Sequence, residues 1–224
     1  MTYILNIETS TTVCSVSLAL DGELVVYREI NDGFTHAENL HLFIQALMAE
    51  ANITVQQLGA IAVSKGPGSY TGLRIGVSAA KGLAYALRLP LIAIDTLRVI
   101  TNHQSVIKNK NEFYCPMIDA RRMEVYCGLF DSGLAQQMPT EALIVDNHSI
   151  QKFRAWEKVH FFGDGMAKCA TVLQELPNAS FIENVIPSAQ YMCSLSFEKF
   201  LSKTFEDLAY FEPFYLKDFF LIKK

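Results

Sequence analysis

Residues 64–76 read SKGPGSYTGLRIG, with four glycines and a proline in thirteen positions. The stretch joins a short apolar run, Ile61–Ser64, to a helical pattern from about Gly72 to Leu87 that Pro90 stops. A glycine-rich strand-to-helix loop has three familiar enzymatic readings, and spacing removes each. No GK[ST] follows at the P-loop distance. Gly66, Gly68 and Gly72 are spaced GxGxxxG, not the GxGxxG of dinucleotide-binding folds. Ser69 does not lie in a GxSxG elbow. What remains is a loop needing backbone freedom at Gly66 and Gly68, and a helix start near Gly72 whose free N–H groups could receive an anion.

The helix itself carries a second signal. Gly72, Gly76, Ala80 and Ala84 recur every four residues and make one ridge almost free of side chains. A mid-helix glycine costs about 1 kcal/mol relative to alanine, a cost tolerated where another backbone comes close. That neighbour is either the domain's own sheet and first helix, or a helix of another molecule.

Upstream, Tyr3–Ile7, Val13–Leu20 and Glu23–Ile30 read as three strands, the last two joined by the tight-turn pair Asp21-Gly22. Thr35-His36-Ala37-Glu38 matches a capping box. Leu40, Phe43, Ile44, Leu47, Met48 and Ala51 then form a helical stripe. Downstream, Leu91–Ile94 is a strand and Thr96 a helix start. The order βββαβαβ is the half-domain pattern of actin, hexokinase and sugar kinases, an analogy of fold alone. In the second half, Phe113–Ile118 and Glu124–Phe130 read as paired strands and Val159–Gly163 as another. Asp164–Leu176 and Ser188–Leu201 read as helices. The polar stretch Asn102–Glu112 is the expected boundary, which divides the chain into 1–104 and 105–224.

Half of the 224 residues are hydrophobic, and the formal charge is −4. That charge argues against a broad nucleic-acid-binding field. The N-terminus has no basic region before an apolar one, and no apolar run is long enough for a membrane span. Five cysteines without CxxC spacing predict buried core thiols in a reducing cytoplasm.

Outside the glycine loop, Glu8, Thr9, Ser10, Thr11 and Thr12 form a turn that could face a phosphate or simply close a hairpin. His36 and His41 are separated by roughly 140° on a helix and cannot share a metal. Asp119, Arg121, Arg122 and Glu124 make a charged turn between strands, and Asp164 reads as a helix start.

Seven stretches, in order, carry a resemblance. ILNIETSTTVCSVSL (4–18), HAENL (36–40), SKGPGSYTGLRIGVSAAKGLAYAL (64–87), LIAIDTL (91–97), IDARRMEVY (118–126), FGDG (162–165) and EPFYL (212–216) resemble the bacterial TsaB family of tRNA threonylcarbamoyladenosine (t6A) proteins. The likeness is dense over 4–97 and sparser beyond. It implies an α/β, actin-like (ASKHA, RNase H-like) fold of two lobes, the second reduced; apart from the resemblance, the last helix and the aromatic tail are expected to pack back on the first lobe. It also implies a cytoplasmic, non-catalytic scaffold that pairs with TsaD, the threonylcarbamoyl transferase of the same fold. The ATPase TsaE is a further expected partner, tRNA is met only through the complex, and the free chain forms a homodimer. TsaD holds its metal with a histidine pair after the strand corresponding to Leu91–Ile94. Here Asp95-Thr96-Leu97-Arg98-Val99 follows, so no catalytic residues and no metal ligands are expected.

With that resemblance, the intermolecular reading of the ridge gains. Leu40, Phe43, Ile44, Leu47, Gly72, Gly76 and Ala80 are the expected partner-binding residues. No cofactor is implied, although weak ATP or ADP binding stays open. The alternative function is an actin-fold ATPase or phosphotransferase using the Glu8–Thr12 turn. A glycopeptidase-like metalloprotease is weaker, since it needs the missing histidines.

Overall fold

Three antiparallel strands open the computed structural model, which describes residues 1–33, 35–106 and 109–217. They are β1 (Tyr3–Glu8), β2 (Cys14–Leu20) and β3 (Glu23–Ile30), with Leu5 opposite Leu18. β4 (Leu58–Gly66) lies parallel to β1, and β5 (Leu91–Asp95) parallel to β4, giving the order β3-β2-β1-β4-β5. Alternation sends side chains to opposite faces. Leu5, Ile7, Val16, Leu18, Ile61 and Val63 face α1 (His36–Glu50) and α2 (Tyr70–Leu87). Ile4, Ala60, Ala62, Ile92 and Ile94 pack on the other side, with Met192 and with Leu195 of α5 (Cys193–Leu201).

A second sheet repeats the plan with β6 (Phe113–Asp119), β7 (Glu124–Phe130), β8 (Gln136–Ile144), β9 (Val159–Phe162) and β10 (Ala179–Ile182). Its order, read from the far edge, is β8-β7-β6-β9-β10, the same arrangement as the first. Both sheets are five-stranded, so the second lobe is not reduced in strands. It is reduced in helices. A 3-10 turn at Ser149–Ala155 stands between β8 and β9, where α1 stands in the first lobe, and α4 (Met166–Leu173) has only eight residues. Between the lobes, α3 (Thr96–Thr101) brings Leu97 and Ile100 against Tyr114, Ile118 and Phe130.

Several boundaries differ from expectation. α2 begins at Tyr70 because Ser69 caps it, the Gly72 N–H donating to Ser69 Oγ at 3.4 Å. Asp95 caps α3 in the same way, Oδ1 accepting from Leu97 and Arg98. The capping box at Thr35 does not form. Thr35 Oγ1 is buried without a hydrogen-bond partner among the described residues, and Asn39 donates to the Thr35 carbonyl instead. The helices expected at 164–176 and 188–201 shorten to α4 and α5, the latter preceded by a 3-10 turn at Ala189–Met192. Strands β8 and β10 went unread. β8 is an edge strand with a mixed exposure pattern and a proline, Pro139, which counts against a strand in the sequence.

After α5 the chain returns along the first lobe. The Glu206 N–H donates to the Leu91 carbonyl at 2.9 Å, and the Phe214 N–H to the Lys65 carbonyl at 2.7 Å. Lys81 on α2 donates to the Phe211 carbonyl at 2.8 Å. Lys217 pairs with Glu124 at the edge of the second lobe. The rest of the aromatic, basic tail, including Phe220, Lys223 and Lys224, lies outside the described residues. All five cysteines are buried and free.

Candidate functional site

The glycine loop answers its own question by what it touches. A Cβ on Gly68 would lie 2.3 Å from the Ser10 carbonyl oxygen, one on Gly72 2.1 Å from that of Thr9, and one on Gly76 2.2 Å from Thr9 Oγ1. No real side chain fits at such distances. The loop and the first two turns of α2 are therefore pressed onto the β1–β2 turn, and the small-residue ridge is an internal seam. Ala80 and Ala84 continue it, both fully buried.

This contact also disposes of the polar turn. Glu8, Thr9, Ser10 and Thr11 are all buried. Thr9 Oγ1 donates to the Gly72 carbonyl at 2.8 Å, the Ser69 N–H to the Ser10 carbonyl at 2.6 Å, and the Ser10 N–H to Glu8 Oε1 at 2.6 Å. Thr12 Oγ1 donates to Asn31, and the buried His36 bonds the Thr11 carbonyl at 2.8 Å through Nε2. Of the two readings left open for 8–12, the contacts are those of a closed turn, bonded within itself and to α2, Asn31 and His36. Burial pushes the Glu8 carboxyl above its ordinary range. The Ser10 and Ser64 side chains beside it oppose that shift without cancelling it.

The second lobe repeats the device at its own first hairpin. Cβ atoms on Gly163 and Gly165 would meet the Met117 carbonyl at 2.3 Å and Ile118 backbone at 2.9 Å. Asp164 Oδ1 accepts from the Asp119 N–H, and burial raises the Asp164 carboxyl. Lys168 pairs with Asp119, while Arg121 and Arg122 stay exposed at positive φ. The charged cluster is a solvent-facing turn, and Asp164 ties the glycine loop to it.

The expected partner-binding residues need correction for the same reason. Leu40, Ile44, Leu47, Gly72, Gly76 and Ala80 are buried within the first lobe, since their spacing tracks the face that meets the sheet. Only Phe43 is partly exposed. The outer faces of the same helices carry other apolar groups. Leu42 of α1 is 61% exposed and Tyr85 of α2 78%, while Phe43, Ile75, Ala79 and Leu83 of the same helices are half-buried. Sequence periodicity marks such residues only as the complement of the buried stripe.

Among the described residues, no three His, Cys, Asp or Glu side chains gather where they could hold a metal ion, and no helix is long and apolar enough to cross a membrane. Asp95 and Arg98 line a cavity of about 470 Å³ with Lys65 and Lys199. Sequence reasoning missed this group, because its members come from four separate elements.

Two five-stranded sheets of one strand order, each with a glycine loop closed on its first hairpin, define an actin-like two-lobe protein of the ASKHA class. Residues 34–219 match the family profile described as TsaD, tRNA N6-adenosine threonylcarbamoyltransferase. The tRNA threonylcarbamoyladenosine biosynthesis protein TsaB of Haemophilus influenzae is 28% identical over 96% of this chain and 93% of its own length. TsaB of Buchnera aphidicola is 31% identical over 74% of this chain and 80% of its own. A Pseudomonas aeruginosa crystal structure, described as an uncharacterized protein with similarity to peptidase YeaZ, superposes with a TM-score of 0.83 at 25% identity. That match covers 97% of this chain and all of the other. The chain belongs to the TsaD family and, within it, to TsaB, the tRNA threonylcarbamoyladenosine biosynthesis proteins.

Proposed function

We propose that the chain is a non-catalytic scaffold subunit for threonylcarbamoyl transfer to the adenosine beside the anticodon of tRNA. It pairs with TsaD, helps to recruit TsaE, meets tRNA only through that complex, and acts in the cytoplasm. The supporting observation is that α1 and α2 expose Leu42 and Tyr85 and leave Phe43, Ile75, Ala79 and Leu83 only half-buried. Exposed apolar anchors ringed by smaller groups are what a protein interface uses. When the chain is alone, the same face joins two copies.

Light scattering coupled to size exclusion tests this, with the chain alone and mixed with TsaD from the same organism. The wild-type mixture should elute as a stable complex. Leu42→Asp combined with Tyr85→Asp should melt like wild type yet elute apart from TsaD, because both side chains project from the fold. A folded double variant that still binds TsaD would refute this surface, and a wild-type chain that never binds would refute the scaffold role.

A further inference from the structure

The cavity of about 470 Å³ opens at the carboxyl ends of β4 and β5, which is where parallel α/β sheets commonly hold ligands. It shares no lining residue with the closed turn at 8–12. Its polar wall is made by Lys65 at the end of β4, Arg98 on α3 and Lys199 on α5, three cations against one lining carboxylate, Asp95. That carboxylate accepts from Leu97 and Arg98 of α3 through Oδ1, and its charge offsets part of that of Lys65 and Lys199. Two more carboxylates flank the site from outside the lining. Glu198 lies 3.7 Å from Arg98 and is largely solvent-exposed, and Glu206 acts on Lys199 from the returning chain.

The cations are positioned rather than loose. Lys199 Nζ is anchored on the Ala93 carbonyl at 2.7 Å. Arg98 Nε is buried with no hydrogen-bond partner among the described residues. Burial first, and then the nearby Lys65 charge, lowers the affinity of Lys199 for its proton, the mark of like charges crowded out of water. An anion between them would relieve that repulsion. Phe130 and Leu134 complete one side with apolar surface, a wall that a base or other flat group could lie against.

We propose that this cavity binds a small phosphate-bearing anion, its phosphate held by Lys65, Arg98 and Lys199 and its remaining portion lying against Phe130 and Leu134. Isothermal titration of the full chain with inorganic pyrophosphate and with ADP tests this, and folding of each variant is checked by thermal melting. At least one probe should bind with a dissociation constant below a few millimolar. Lys65→Met and Lys199→Met should each weaken binding about tenfold or more, the weight of one charge-assisted hydrogen bond. Lys199→Met also removes the bond to Ala93. Lys65→Met is therefore the decisive variant, since the Lys65 ammonium makes no hydrogen bond among the described residues. Tighter binding of ADP than of pyrophosphate assigns the apolar wall to a nucleoside. Equal binding assigns the site to the phosphate alone. Absence of heat from either probe at millimolar concentration, or full binding by folded Lys65→Met, would overturn the proposal.

Discussion

Replacing Gly76 by alanine asks whether the small-residue ridge of α2 is an internal seam or a free surface. On an exposed helix this change stabilises by about 1 kcal/mol. Here the new Cβ would stand 2.2 Å from Thr9 Oγ1. Thr9 must turn away, and its hydroxyl then loses the 2.8 Å bond to the Gly72 carbonyl, a loss of about 1 kcal/mol. Forcing a methyl into a closed seam costs about 1–3 kcal/mol more. After the helix-propensity gain is set against these, Gly76→Ala should destabilise by about 1–3 kcal/mol. For a chain of this size that lowers the melting temperature by roughly 2–12 °C. Gly82 is the control within the same helix, because nothing lies within 4 Å of its Cβ. Gly82→Ala should gain about 1 kcal/mol, or roughly 2–4 °C. Thermal and urea melts followed by circular dichroism read both, and Thr9→Ala should recover part of the Gly76→Ala loss by vacating the space. If Gly76→Ala matched Gly82→Ala, the seam would be wrong and the ridge would be open surface.

Three further outcomes follow from particular contacts. Burial raises the Glu8 carboxyl in the folded chain, so the native state holds its proton more tightly. Its stabilising contribution is complete below about pH 4.5 and is lost as pH rises through the elevated folded value. Glu8→Gln should thus melt higher than wild type at pH 7 and equal to it near pH 4; equal stability at both would refute the buried-acid account. Glu112 runs the opposite way. Hydrogen bonds from Asn109, Lys158 and His160 hold it down at about 2, so its contribution is present above pH 4.5 and disappears as pH falls towards 2. Glu112→Gln should remove that acid limb, by no more than about 1 kcal/mol after solvent screening, and an unchanged pH–stability curve would contradict it. Lys81→Ala should release the returning chain from α2 by deleting the bonds to Ala209 and Phe211. Trypsin should then cut at Lys203 several-fold faster without a change in the main melting transition; an unchanged cleavage rate would show that the apolar contacts of Leu208 and Phe211 suffice.

The first lobe was legible because its signals are local. Alternation in β1 to β3, the stripe from Leu40 to Ala51 and the strand–loop–helix around Gly66–Leu87 each mark an element within a few residues, and their order carries the actin-like class. Strands β8 and β10 were missed because edge strands, half wet and interrupted by Pro139, leave no clean period. Periodicity also found the right helices and the wrong faces. Leu40, Ile44, Leu47 and Gly76 repeat because they meet the sheet, while Leu42 and Tyr85, which remain outside, belong to no repeat.

The sequence alone pointed to a close neighbour for Gly72 and Gly76, since they recur with Ala80 and Ala84 on one ridge of α2, a pattern that the lone Gly82 does not share. It could not say against what. The partner is Thr9, more than sixty positions away, and only pairing β1 with β4 brings that turn beneath α2. The same holds for Lys65 and Asp95, which meet through the pairing of β4 with β5, and for Lys199, which joins them only once α5 has packed on the far face of the first sheet. Spacing along a chain fixes what one helix or strand can present, whereas proximity between elements is set by how their buried faces stack.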